Sequence, residues 1–213
     1  MKTDEFVAML ASGTAEVAPR GVERRFVVGI GLGVMASSLL LVGTLDIRVD
    51  LAMAARLPMF WVKLGFAASL MLASLLAALR LSRPGMPVGR TPGAIAIPIV
   101  ALWLLAIVTL ATTAPSQRLA LLFGATWTVC PLLIAMLAVP VFVGSMWALA
   151  GLAPTRLRLA GASAGLLSGA TAALVYSLHC PEMAAPFLAI WYVFGIALPT
   201  ALGALLGPRL LRW

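Results

Sequence analysis

A series of long apolar runs, separated by short charged segments, constrains this chain more than any other feature. A membrane-spanning helix needs about 20 predominantly apolar residues. We expect six such helices, at residues 26–45, 59–79, 93–111, 131–149, 159–178 and 186–206. Apolar residues make up 62% of the chain and charged residues only 10%, which leaves too few polar groups to cover a soluble domain. The sequence therefore predicts an all-α integral membrane protein.

The fourth apolar run is longer than one helix requires, because no charged residue lies between Arg118 and Arg156. The Cys130–Pro131 step offers a break, since proline disfavours the helical conformation in the residue before it. We therefore begin the fourth span at Pro131. The preceding segment has apolar residues three or four positions apart, as in a short helix lying at the membrane surface. These residues are Leu119, Leu122, Phe123 and Trp127.

The distribution of positive charge orients the six spans. Cytoplasmic segments of membrane proteins carry an excess of lysine and arginine. With both termini in the cytoplasm, the outer side keeps four of the 15 basic residues, and these are Arg48, Arg56, Lys63 and Arg118. A seventh span would nearly remove this bias. We therefore predict a cytoplasmic N-terminal segment (1–25), a six-helix membrane domain (26–206) and a cytoplasmic tail (207–213).

Lys63 is the only charged residue well inside a predicted span. A charge within the membrane is a functional hypothesis by default. However, Lys63 lies close to the outer end of its span at Pro58, beside Trp61, so its side chain can extend to the surface. No carboxylate is expected to face it from another span, as an ion-coupled transporter would require. We interpret Lys63 as a residue whose ammonium group reaches the outer membrane surface.

Glycine residues recur four positions apart on spans one, five and six. They are Gly29 and Gly33, then Gly161, Gly165 and Gly169, and finally Gly203 and Gly207. Small residues at this spacing let two membrane helices approach closely. We expect the glycine face of span five to form a tight contact between helices.

The stretch YSLHCPEMAAPF, residues 176–187, concentrates reactive groups in an otherwise apolar chain. It holds the only histidine, His179, together with Cys180 and Glu182. The other cysteine, Cys130, lies at the same predicted face, and each cysteine precedes a proline. We favour a functional pair of cysteines over two buried structural thiols. The pair would form either a disulfide or a thiolate site for a soft metal ion, with His179 or Glu182 completing the shell.

The same residues give little support to an enzyme. Ser168 and His179 lie about 16 Å apart along one helix, too far for a nucleophile and its base. Cys180 beside His179 has no third orienting group and no oxyanion device in view. We predict no catalytic residue and no cofactor, although a transition or heavy metal would be a possible inducing ligand. No basic patch interleaved with aromatic residues is present, so we expect no direct binding of nucleic acid.

The N-terminal segment is the longest stretch predicted to lie outside the membrane. Thr3 is suited to cap a helix, and Asp4 and Glu5 follow in its first turn. The apolar stripe that follows consists of Phe6, Val7, Met9 and Leu10. The helix is expected to end near Gly13. Since so short a helix is marginal alone in water, the segment is either a disordered tail or a helix that folds onto the membrane or a cytosolic partner.

Three segments resemble the NrsF family, negative regulators of sigma F: MKTDEFVAML, HCPE…APF…WY and GALLGPRLLRW. The resemblance covers essentially the whole chain. It implies a six-span anti-sigma factor, surrounded by lipid in the inner membrane of a Gram-negative bacterium, that holds an extracytoplasmic-function sigma factor through its N-terminal segment. It also implies that the family's two cysteines, which match Cys130 and Cys180, sense heavy-metal or oxidative stress and trigger release. The contact residues expected from position alone are Asp4, Glu5, Phe6 and Leu10.

A second hypothesis is a transporter or exporter of a small solute or metal, in which the cysteines form a capture site. The absence of ionisable pairs near the predicted membrane mid-plane argues against it. A third, weaker hypothesis is a structural membrane subunit. The sequence leaves the oligomeric state open.

Overall fold

The computed structural model describes residues 3–12, 21–152 and 154–212, and these residues contain helices and no strand. The helices are α1 (Thr3–Ser12), α2 (Gly21–Thr44), α3 (Leu51–Ala54), α4 (Pro58–Leu81), α5 (Thr91–Thr112), α6 (Pro115–Phe123), α7 (Cys130–Ala150), α8 (Leu157–Tyr176) and α9 (Ala185–Leu210). Helix α9 contains a π-helical turn at Leu188–Tyr192.

Within the described residues, six helices are long and apolar enough to cross a membrane, namely α2, α4, α5, α7, α8 and α9. This finding confirms the prediction of an all-α chain with six membrane helices. The helices extend past the apolar runs. For example, α2 begins at Gly21 because Glu23, Arg24 and Arg25 are compatible with a helix while their charges lie outside the apolar stretch. The side of the membrane on which each terminus lies, and the division into three segments, stay predictions.

The segment before the fourth span contains the predicted break. Helix α6 ends at Phe123, and Gly124 follows with a positive φ of 55°, a conformation that glycine adopts easily. Helix α7 then begins at Cys130, and Pro131 occupies its first turn, where a missing N–H is harmless. No residue of α6 is fully buried, which agrees with a surface helix. Its position at a membrane surface stays a prediction.

Helix α8 is the centre of the bundle. Of its most apolar stretch 78% is buried, against 11% for α5, so α8 packs on protein where α5 faces outward. Its neighbours are α4, α7 and α9. Helix α9 lies closest because both helices present glycine.

The backbones of α8 and α9 approach each other at four glycines, which we call the glycine seam (Gly161, Gly165, Gly203 and Gly207). A Cβ on Gly161 would meet the carbonyl of Gly203, and one on Gly165 would meet the carbonyl of Pro199. The backbones of the two helices therefore touch. This contact confirms the prediction for span five, and α2 meets α7 in the same way at Gly29 and Gly33.

Candidate functional site

The structure brings the two cysteines of the chain together at one end of the bundle, which we call the thiol end. Cys130 begins α7, and Cys180 lies in the loop of residues 177–184 between α8 and α9, which we call the thiol loop. Both are free thiols with 0% exposure, and their side chains interact directly. The N–H of Cys180 donates to the carbonyl of Tyr176 (2.9 Å), so the last turn of α8 fixes its position.

Lys63 contacts the thiol loop directly. Its side chain is 0% exposed, and Nζ donates to the carbonyl oxygens of Cys180 (3.0 Å) and Glu182 (3.1 Å). Nζ also lies 4.9 Å from the centre of the Tyr192 ring, a cation–π distance. The prediction that Lys63 extends to the surface is therefore wrong. Two carbonyls and an aromatic face replace the water that a buried ammonium group would lose, while the neighbouring Trp61 is exposed.

Arg48 brings a second positive charge to the same carbonyl. Its Nη1 donates to the carbonyl of Cys180 (3.2 Å), while Nε and Nη2 bind the carboxylate of Asp50 at 2.7 and 2.6 Å. Its backbone N–H donates to the carbonyl of Leu178 (3.1 Å). The segment between α2 and α3 therefore lies across the thiol loop. The sequence carried no signal for this contact, since Arg48 looked like an ordinary charge between two spans.

The surroundings of Cys180 favour its thiolate form. The hydrogen bond with Cys130 lowers the pKa of Cys180 to about 5, and the charge of Lys63 acts in the same direction against the effect of burial. A thiolate is the reactive form of cysteine towards oxidants and soft metals. Cys180 is therefore the member of the pair whose surroundings favour the thiolate.

Two tyrosines enclose the pair. The rings of Tyr176 and Tyr192 lie 5.9 Å apart, and both side chains are buried. Tyr192 ends the π-helical turn of α9 and contacts Cys180. The Tyr192 side chain thus lies beside the thiols and the buried ammonium group of Lys63.

The remaining predicted metal ligands point away from the thiol pair. His179 Nδ1 lies 2.9 Å from the carbonyl oxygen of Asp46, in the segment after α2. The carboxylate of Glu182 accepts the N–H of Ala125 (2.8 Å) and lies 3.3 Å from the hydroxyl of Thr126. Each side chain is turned to a different neighbouring segment because the loop has no regular structure.

The predicted shell of Cys130, Cys180, His179 and Glu182 is consequently not assembled. In the part of the chain that the structure describes, no group of three or more histidine, cysteine or acidic residues is placed to hold a metal ion. Binding of a metal by the two thiols alone stays a prediction. The carboxylate of Glu182 does not bind beside the thiols. It connects the thiol loop to the turn that precedes Cys130.

The predicted sigma-contact residues lie on α1. Asp4 and Glu5 are exposed, as are Val7 and Met9 of the apolar stripe. The side chains of Phe6 and Leu10 lie outside the described ones, as does Gly13, where the helix was expected to end. Helix α1 itself ends at Ser12. The contact residues stay predictions.

Comparison with known sequences gives consistent matches. The family described as NrsF, negative regulator of sigma F, matches residues 10–213. The chain is 49% identical over 213 residues to a probable anti-sigma-F factor NrsF of Azospira oryzae, and 40% identical over 215 residues to the anti-sigma-F factor NrsF of Caulobacter vibrioides. Both alignments cover 100% of each chain. No solved structure matches the chain significantly.

Proposed function

The chain belongs to the NrsF family of negative regulators of sigma F, and from this premise we propose that it is a membrane-bound anti-sigma factor controlled by its two cysteines. It holds an extracytoplasmic-function sigma factor through the N-terminal segment and releases it when Cys130 and Cys180 react with an oxidant or a soft heavy-metal ion. The family is one of regulators, which agrees with the prediction that the chain is not an enzyme.

The observation that carries the proposal is the direct contact of the two free thiols. With hydrogen peroxide, the Cys180 thiolate takes one oxygen atom, which gives a sulfenic acid and releases hydroxide. The Cys130 thiol then attacks that sulfur, and the disulfide forms with loss of water. With a soft metal ion, both sulfurs bind as thiolates and the Cys130 proton is released.

The predicted topology places this chemistry on the periplasmic side of the inner membrane. The excess of basic residues on the opposite side supports that orientation. Helices α7, α8 and α9 all start or end at the thiol end, and in the predicted topology their other ends lie on the cytoplasmic side. A disulfide or a bound metal shifts the protein towards release only if it stabilises one arrangement of these helices over the other.

On the cytoplasmic side, α1 offers a small amphipathic surface to the sigma factor. Asp4 and Glu5 supply negative charge, and the apolar stripe containing Phe6 and Leu10 binds in a groove of the sigma factor.

Deletion of residues 2–12 is expected to free the sigma factor without any inducer. Sequestration that persists after this deletion would move the contact to another cytoplasmic segment.

The proposal is tested with a reporter for the sigma-dependent promoter in cells that produce the full chain. Cys130→Ser and Cys180→Ser are expected to keep the reporter silent and to reduce its induction by cadmium or hydrogen peroxide by about tenfold or more. Met183→Leu is the matched control, since it removes the other oxidisable sulfur of the thiol loop. Induction that survives both serine substitutions would contradict the proposal.

A further inference from the structure

We propose that Lys63 is the positioning residue of the thiol pair: its ammonium group holds the thiol loop against α4 and so keeps Cys180 in contact with Cys130. This inference rests on the proposed function, because it concerns the pair of thiols that reacts. Neither the sequence pattern nor the family match assigns a role to this lysine.

The ammonium group of Lys63 is buried. An ammonium group removed from water persists only where other polar groups replace its hydration. Among the described residues, no carboxylate lies within ion-pair distance of Lys63, and the ion pair present at the thiol end is Arg48–Asp50. Lys63 is therefore not the partner of an acidic side chain. Its partners belong to the thiol loop and to α9.

The ammonium group of Lys63 contacts the backbone of the thiol loop at two points. A lysine has three N–H donors, and two of them go to the carbonyls of residues 180 and 182. One ammonium group thus binds the loop on both sides of Pro181. The carbonyl of Cys180 has a second donor in Arg48, whereas the carbonyl of Glu182 has no other donor among the described residues.

The thiol loop depends on side chains from other segments for its position. Residues 180–184 form neither helix nor strand, so their backbone is held by side chains from elsewhere. Lys63 connects them to α4, and Glu182 connects them to the turn before α7. Arg48 also binds the carbonyl of Cys180, and of these three side chains only Lys63 is fully buried beside the thiols. The low pKa of Cys180 is consistent with a positive charge held at this position.

Removal of the donors should therefore separate the thiols. In Lys63→Met the side chain stays unbranched and flexible but loses its N–H groups, so the loop carbonyls lose their partner. The rate of disulfide formation with hydrogen peroxide is expected to fall by about tenfold or more, because a small misplacement of reacting groups slows a reaction strongly. Lys63→Arg keeps the donors and is expected to restore the rate to within about threefold of the original.

The experiment uses the full chain, purified in lipid nanodiscs, with hydrogen peroxide as the oxidant. The loss of free thiols is followed over time by mass spectrometry after alkylation. Trp61→Phe is the matched control, because it lies two residues away on α4 and faces outward. Size-exclusion chromatography checks that each variant is folded, and Lys63→Leu, which also lacks N–H donors, provides a second neutral variant if Lys63→Met does not fold.

The expected result is slow oxidation in the neutral variants, rescue in Lys63→Arg and no change in Trp61→Phe. Oxidation of a folded neutral variant at the original rate would overturn the inference and leave the proposed function intact. Equal slowing in Lys63→Arg and Lys63→Met would also overturn it, since the donors would then not be the cause. If the unmodified protein forms no disulfide, oxidant sensing in the proposed function fails instead.

Discussion

The thiol end and the glycine seam stabilise the same two helices by opposite means. At the seam, the backbones of α8 and α9 touch at glycines of both helices. At the thiol end, about 22 Å further along α8, the loop between the same helices is held by Lys63, Arg48 and Glu182.

This difference separates a fixed region from one that can change. Backbone contact through glycine has one geometry, because any added atom collides. Hydrogen bonds from long side chains to loop carbonyls can break and form again without disturbing a helix. The two thiols lie in the second kind of region, and under the proposed function this is where a chemical signal alters the structure.

The largest effect is expected at the seam. A side chain at position 165 would meet the carbonyl of Pro199 and lie within 2.7 Å of the Cα of Thr200, so Gly165→Leu must push α8 and α9 apart. We expect a loss of about 3 kcal/mol or more in stability, or no folded protein. Thermal unfolding in detergent measures it. Gly65→Leu on α4 is the control, since its site is open, and equal melting of the Gly165 and Gly65 variants would contradict the tight seam.

The next effect concerns the charge of Cys180. A thiol whose pKa is lowered to about 5 stays ionised as the pH falls from 8 to 6. Its alkylation rate should therefore change by less than about twofold over that range, whereas an ordinary thiol with a pKa of about 8.5 slows by nearly 100-fold. Mass spectrometry of the first alkylation gives the profile. A steep loss of rate down to pH 6 would show that Cys180 is protonated in the resting protein.

A smaller effect is expected where Glu182 meets the turn before Cys130. Glu182→Ala leaves the N–H of Ala125 without its acceptor, which we expect to cost about 1–2 kcal/mol locally. Amide hydrogen exchange at Ala125 should speed up by about tenfold, while exchange in the glycine seam stays unchanged. Glu23→Gln, at the start of α2, is the control. Unchanged exchange at Ala125 would mean that Glu182 does not hold this turn.

The smallest effect is expected for His179. Its ring contacts the carbonyl of Asp46 and does not point at the thiols. His179→Asn should therefore change the affinity for cadmium by less than about threefold, where loss of a true ligand weakens binding far more. Titration of the purified protein measures the affinity, with Cys180→Ser as the comparison. A loss of cadmium affinity as large as that of Cys180→Ser would show that His179 is a metal ligand.

The sequence predicted the features that depend on patterns of neighbouring residues. Apolar length predicted the six helices, Pro131 predicted the start of α7, and the spacing of Gly161 and Gly165 predicted the close approach of α8 and α9. Each of these depends on residues near one another in the chain. The two cysteines were paired only by their common place in the predicted topology.

The features that the sequence missed depend on the backbone of distant segments. Lys63 looked like a surface lysine because its partners are carbonyls of residues 180 and 182, which no side-chain pattern reveals. The sequence likewise carried no sign that the carboxylate of Glu182 accepts the N–H of Ala125. A carbonyl or an N–H occurs at nearly every position, so only the fold determines which ones a charged side chain meets.

In the proposed function, the reaction of the thiol pair releases the sigma factor. This step is tested most directly by treating intact cells with increasing hydrogen peroxide and measuring two quantities in the same samples. One is the fraction of free Cys130 and Cys180, from maleimide labelling, and the other is the amount of sigma factor that co-purifies with the chain. Both quantities should fall together over one range of peroxide dose. Release of the sigma factor while both thiols remain free, or complete oxidation without release, would contradict the proposed function.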